Sequence, residues 1–318
     1  MASYKEIFGT NIEVLASDPA NPVAGQVWYN STDNVVKGEV FQAAAWATGG
    51  DLNTARFFLG SAGTDNTSAL VVGGESPPYV GITESYNGAS WTEVADLNLA
   101  KSSFNGCGTA TAALASGGDT VPGNVGTNEI WNGTSWTEDA DLNTARGGSG
   151  QTGTTTSSLV FAGNGPTAAT ESWNGTSWTE VNDLNAARRY VGSAGTDNTS
   201  ALAFGGSSPP VANTESWNGT SWTEVNDLNT ARSTLSGAGT QTSALGFGGA
   251  IPPITALTEE WNGTSWTEVN DLNTARTNLS GSGIATSALA AGGANPSQTA
   301  ATEAWTGAGN VTVTFTDS

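Results

Sequence analysis

The sequence predicts an all-β chain: a six-bladed β-propeller closed by an N-terminal strand, with an extended N-terminal arm and hairpin ahead of it. Three observations carry that prediction. The phrase WNGTSWTEVNDLNTAR occurs verbatim at 217–232 and 261–276, and with one change at 173–188. Asp-Leu-Asn tripeptides begin at 51, 96, 141, 183, 227 and 271, in steps of 45, 45, 42, 44 and 44 residues. A period in the low forties built from short β segments is that of a four-stranded propeller blade. The tryptophans supply the third observation, because their two sets have complementary gaps at the two ends of the chain.

Residues 1–24 stand outside the repeat and carry Asp18-Pro19 and Asn21-Pro22, steps that favour extended or turn structure. GQVWYNSTDNVVKGEVF, 25–41, reads as two strands around Ser31-Thr32-Asp33-Asn34. We therefore expect an attachment arm and hairpin over 1–40, a propeller over 41–310 and a C-terminal strand or tail over 311–318. Within each repeat, strand a follows DLNTAR, as in FFLGSAG (57–63), and a polar turn leads to strand b, as in SALVVGG (68–74). A variable loop then precedes strand c, TESY or TESW, and an Asn-Gly turn joins c to strand d, WTEV. Tyr86, Trp131, Trp173, Trp217, Trp261 and Trp305 end the c strands, and Trp46, Trp91, Trp136, Trp178, Trp222 and Trp266 open the d strands. Trp305 lacks a following d strand and Trp46 lacks a preceding c strand. The N-terminal segment around Trp46 should therefore complete the last blade and remove the open sheet edge.

Composition narrows the function. Nine cations against 29 acids give a net charge of −20, which excludes nucleic acid, since counterion release needs clustered Lys and Arg. The start, MASYKEIFGTNIEV, lacks the apolar core of a signal peptide, and no run of about 18 apolar residues occurs. Neither a leader nor membrane insertion is expected. There is no His, hence neither the commonest general base nor the commonest metal ligand, and the lone Cys107 reads as a small packed hydrophobe. We expect no cofactor and no metal. The recurring Asn-Gly-Thr matches a glycosylation acceptor but recurs because the turn does.

The double glycine ending strand b, then Glu-x-aromatic, then Trp, then Arg some ten residues on, resembles the kelch repeat across residues 46–306. The resemblance implies a kelch-like propeller. The c–d turn departs from it, with Asn-Gly-Thr-Ser where kelch repeats often carry Asp and Pro. Copper chemistry found on some kelch propellers uses His ligands, which this chain lacks. More narrowly, SDPANPVAGQVWYNSTDNVVKG (17–38) with the WNGTSWTE wording resembles structural proteins of tailed bacteriophages, tail-fibre-like ones especially.

Two sets of residues stand out. Arg56, Lys101, Arg146, Arg188, Arg232 and Arg276 share one repeat position, and Glu84, Glu129, Glu171, Glu215, Glu259 and Glu303 share another. Residues i and i+2 of a strand lie on one face, so each Glu sits beside its c-strand aromatic in a partly buried layer. Buried carboxylates need partners, and the reading is six repeated structural ion pairs. The second set is the variation. The b–c loops differ in every repeat, and so does the start of strand a, whereas the opposite face is monotonous. We expect Phe57, Phe58, Tyr79, Phe104, Arg189 and Tyr190 to contact a ligand, because aromatics and Arg dominate binding hot spots. The expected function is a non-enzymatic virion component, tail-fibre-like. It binds a host-surface glycan or protein through the variable face and other virion proteins through residues 1–40. The alternatives are a glycan-processing enzyme, which would need carboxylates converging at the channel mouth, and a cellular kelch-type scaffold.

Overall fold

The computed structural model describes residues 12–207 and 209–315. Among these there is no helix, and the strands form seven four-stranded sheets. The chain divides into two compact units, Trp46–Thr306 and a smaller one built from both termini, with described residues 12–45 and 307–315. The boundaries therefore fall at 45/46 and 306/307, a few residues from the expected 40/41 and 310/311. Residues 1–11 of the expected arm and 316–318 of the expected tail lie outside the described residues.

The larger unit holds six sheets of one pattern. In repeat 1, strands a to d are Gly60–Asp65, Ser68–Val72, Thr83–Tyr86 and Trp91–Val94, paired antiparallel in that order. Repeat 6 is assembled from both ends of the unit: Ser280–Ile284, Ser287–Ala291 and Thr302–Thr306, with Ala45–Thr48 hydrogen-bonded as the fourth strand. Trp46 lies 5.4 Å from Trp305 in that sheet, as each d-strand Trp lies 4.8–5.4 Å from the c-strand aromatic of its own repeat. The a strands neighbour one another in succession, and that of repeat 6 neighbours that of repeat 1. Ser61 Oγ donates to the Gly281 carbonyl across this last junction, at 2.8 Å.

Four residues of the DLNTAR phrase have clear tasks. In repeat 1 the Leu52 side chain is buried among Leu59, Val71, Tyr86 and Trp91. The Asn53 backbone N–H and Nδ2 both donate to Glu84 Oε2, at 2.7 and 2.8 Å. Arg56 Nη2 donates to Glu84 Oε1 at 2.8 Å, and Nη1 to the carbonyls of Gly73 and Ile82 at 2.8 and 2.6 Å. The Asp of the next phrase, Asp96, accepts the Thr83 N–H at 3.1 Å. The Arg–Glu pairs recur in five repeats, with both side chains almost wholly buried. Burial pulls each guanidinium below its ordinary pKa, and the facing glutamate opposes that. The fork of the guanidinium satisfies a carboxylate and two carbonyls at once, which an ammonium cannot match.

Sheets are joined by a second repeated bond. Trp91 Nε1 donates to Thr302 Oγ1 of the preceding repeat at 3.0 Å, and Trp46, Trp136, Trp222 and Trp266 do the same to Thr258, Thr83, Thr170 and Thr214 at 3.1 Å. At the sixth junction Asn128 replaces the threonine and turns its Oδ1 to Ser116, leaving Trp178 Nε1 without a partner. The first residue after strand b has a left-handed backbone in all six repeats, and close approach favours glycine there, although the third repeat carries Ala162 at φ 62°. A Cβ on Gly205, at φ +62°, would stand 2.7 Å from the Arg232 carbonyl. The Asn-Gly-Thr sites are turns: Asn174 Oδ1 accepts the N–H groups of Thr176 and Ser177, both at 2.9 Å.

The smaller unit is one sheet, ordered β1 (Glu13–Leu15), β2 (Val27–Asn30), β3 (Val35–Gln42) and a C-terminal strand, Gly309–Phe315. The expected hairpin is β2–β3. Of the expected extended arm, Glu13–Leu15 joins this sheet, pairing parallel with β2. Segment 16–24 of the arm is anchored because Asp18 accepts hydrogen bonds from Trp28 Nε1 and Asn30 Nδ2 and an ion pair from Lys37. These contacts hold the Asp18 carboxyl down at about 2.

Repeat 2 breaks the ion-pair pattern. Lys101 Nζ lies 3.9 Å from Glu129 and donates instead to the carbonyls of Ala115 and Thr127. Burial pushes its pKa from 10.5 down to about 8, against the pull of Glu129. The unfolded chain keeps that proton up to its ordinary value, so stability rises with pH between about 8 and 10.5 and carries the full cost of the buried charge below 8. A Lys101→Arg, Phe104→Leu double variant copies the Arg276–Leu279 pair of repeat 6. Its urea denaturation should show about 1–2 kcal/mol more stability than the parent at pH 7, and a smaller gain at pH 10. Identical midpoints at pH 7 would refute the cost assigned to Lys101.

Candidate functional site

The second residue after each repeat cation is Phe58, Ser103, Gly148, Tyr190, Thr234 or Asn278, and all six have left-handed backbones, with φ between 54° and 64°. Their N–H groups turn sideways, out of their own sheets. Ser103 N donates to Phe58 O, Gly148 to Ser103, Tyr190 to Gly148, Thr234 to Tyr190, Asn278 to Thr234 and Phe58 to Asn278, at 2.5–3.0 Å. The six bonds return to their starting residue. A left-handed backbone costs a side-chain-bearing residue about 1–2 kcal/mol, and each hydrogen bond returns about 0.5–1.5 kcal/mol. Once the sheets are in place, the cycle therefore roughly sustains itself. Nothing in the residue types announces it, since only Gly148 and Asn278 favour this conformation.

Phe58 and Tyr190 stand three places apart in this cycle of six, and their rings meet at 5.5 Å. Phe57 lies 5.3 Å from Phe58, and the Arg189 guanidinium lies over Tyr190 at 5.2 Å from the ring centroid. Four planar groups, all partly exposed, thus form one stack across the end where the variable loops emerge. The loops are fixed there by bridges between the residue after the cation and the start of the b–c loop, such as Phe57 with Glu75 and Ser102 with Asp119. Among the described residues Arg189 has no carboxylate partner, unlike the six repeat cations and Lys37. Asp119 accepts from Asn164 Nδ2 at 3.0 and 3.1 Å beside Tyr190. Burial, then Asp119, raises the Tyr190 phenol above its ordinary pKa.

Of the six expected contact residues, the structure brings Phe57, Phe58, Arg189 and Tyr190 together. Tyr79 is partly exposed in the neighbouring loop, bridged to Glu75, outside the stack. Phe104 is corrected: it is 3% exposed and belongs to the core with Leu70, Val72 and Trp131. The cause is register. The variable position in repeat 2 is Ser103, and Phe104 aligns with Leu59, Leu235 and Leu279, which point inward. Its ring fills space beside the shorter Lys101, 5.3 Å from Nζ. Val121, outside the expected contact set, is 86% exposed in the loop 119–127.

Below the stack the a strands enclose a narrow polar space of about 100 Å³, lined by Ser61, Cys107, Gln151, Thr152, Ser193 and Ser282 among others. Cys107 is buried and its pKa is pushed up to about 12, so it stays a protonated thiol at neutral pH. Among the described residues no three His, Cys, Asp or Glu side chains converge as metal ligands. No protein-family model and no curated protein matches this sequence.

Gly148 makes room for the stack. A Cβ there would stand 2.9 Å from both Tyr190 Cε1 and Asn164 Oδ1. Gly148→Ala should cost about 2 kcal/mol or more in the parent chain. In a Tyr190→Ser background the cost should fall by about 1 kcal/mol, the size of a contact coupling. Equal penalties in the two backgrounds, read by thermal denaturation, would uncouple Gly148 from the ring.

Proposed function

We propose that this chain is a closed six-bladed kelch-like propeller whose role is binding, not catalysis. It serves as a tail-fibre-like component of a tailed-phage virion and meets a host-surface glycan or protein through the end that carries the variable loops. Residues 1–40 attach it to other virion proteins. Closure is supported by the cycle of six backbone bonds and by the Ser61–Gly281 contact between the first and last repeats. The virion assignment rests on the wording of residues 17–38 and of the repeat.

The observation that carries the binding role is the stack of Phe57, Phe58, Tyr190 and Arg189. Four sister repeats hold the same backbone position with Ser, Gly, Thr or Asn, so the fold does not require an aromatic there. Partly exposed rings with few rotatable bonds give large contact area at low entropic cost. The apolar face of a pyranose fits such rings, while Arg189, Asn164 and Asp119 offer donors and acceptors for its hydroxyls. Sulfated and phosphorylated glycans are disfavoured by a net charge of −20.

The test uses Phe58→Asn with Tyr190→Asn. Asn accepts a left-handed backbone, and Asn278 already occupies the equivalent position, so melting should be nearly unchanged. Adsorption to host cells and retention on a panel of immobilised neutral glycans should fall at least about tenfold, the size of a hot-spot loss. Undiminished adsorption would overturn the assignment of binding to the stack.

A further inference from the structure

The C-terminal strand Gly309–Phe315 ends the small sheet, and among the described residues no strand pairs with its outer edge. Exposed edges are templates for further pairing, and proteins ordinarily blunt them with charge, Pro, bulges or short length. The other outer edges here are short, and all but the uncharged Ala45–Thr48 carry an acidic residue. The d strands of repeats 1 to 5 are four residues long, each with an exposed glutamate: Glu93, Glu138, Glu180, Glu224 and Glu268. At the far side of the small sheet, β1 has three residues and carries Glu13. The sequence of the C-terminal strand, GNVTVTF, has no charge and no Pro, and it pairs with β3 over seven consecutive residues without a bulge. In a chain of net charge −20 it is an unguarded, neutral edge.

Its sequence is self-complementary. Antiparallel pairing of two copies about Thr312 places Val311 opposite Val313, Asn310 opposite Thr314, and Gly309 opposite Phe315. All seven residues pair in that register. Val311, Val313 and Phe315 then continue one apolar face, while Asn310, Thr312 and Thr314 continue the polar one. A one-residue slip would mix the two faces. Phe315 already lies over a glycine within its own sheet, since a Cβ on Gly38 would be 2.8 Å from its Cε2. Gly309 has open space above its Cα and would receive the Phe315 ring of the second copy in the same way. Repulsion between two acidic chains is screened beyond about 8 Å at physiological salt, and the paired strands themselves contribute none.

We infer that this strand joins two copies of the chain in a two-fold antiparallel pair centred on Thr312. Sedimentation of the full chain at 0.15 M salt, against two double variants, tests it. The unmodified chain should show twice the monomer mass. Val311→Lys with Val313→Lys sets like charges opposite each other across the two-fold and should weaken the dimer at least about tenfold. Val311→Lys with Val313→Glu sets Lys opposite Glu at both positions and should keep the dimer. The second variant also shows whether charged residues at these positions are tolerated by the sheet. A monomeric parent chain, a dimer that survives both variants, or loss of the dimer in both would each overturn the inference.

Discussion

The structure depends on a charge kept out of water. Five of the six repeats bury an arginine against a glutamate at nearly zero exposure, and an unpaired charge in that place would cost several kcal/mol. The pair itself adds little net stability, because desolvation offsets the attraction. Its effect is geometric. The guanidinium ties the d–a connection to strand c and to two carbonyls, while the Asn of the same phrase holds the other carboxylate oxygen. Two residues further on, the chain must enter the axial cycle with a left-handed backbone. The ion pair thus sets where the candidate site begins.

Fold and site use different atoms of the same residues. The cycle is made by N–H and C=O groups, so the side chains above it are free to differ, and they do: Phe, Ser, Gly, Tyr, Thr and Asn. Two of the six are aromatic and stand opposite each other, and a third has lost its side chain where the Tyr190 ring lies. Residues free of packing duty can follow a partner. Lys101 and Phe104 show the converse, since they changed inside the core and fill each other's space.

The cations are almost all consumed within the molecule. Six are buried in repeats, Lys37 is held by Asp18 and Asp33, and Arg189 alone among the described cations faces the variable end without a carboxylate. The outward field is therefore acidic. Such a field disfavours anionic partners, and a charge-free edge strand is the part of the surface least affected by it.

The sequence alone determined the period, the four strands per repeat, the pairing of Trp46 with the last c strand, and the Arg–Glu partnership. These follow from local patterning and from the demand that a buried carboxylate find a cation, both written in residue types. Tertiary structure decided the rest. The left-handed cycle is made of backbone bonds between repeats about 44 residues apart, which no residue preference encodes. Counting from Arg56 and Lys101 sets Phe104 level with Leu59 and not with Phe58, but only the fold shows that this position points into the core and that Phe58 meets Tyr190. The pairing of Gly309–Phe315 with β3 joins strands at opposite ends of the chain, and only the folded molecule brings them side by side.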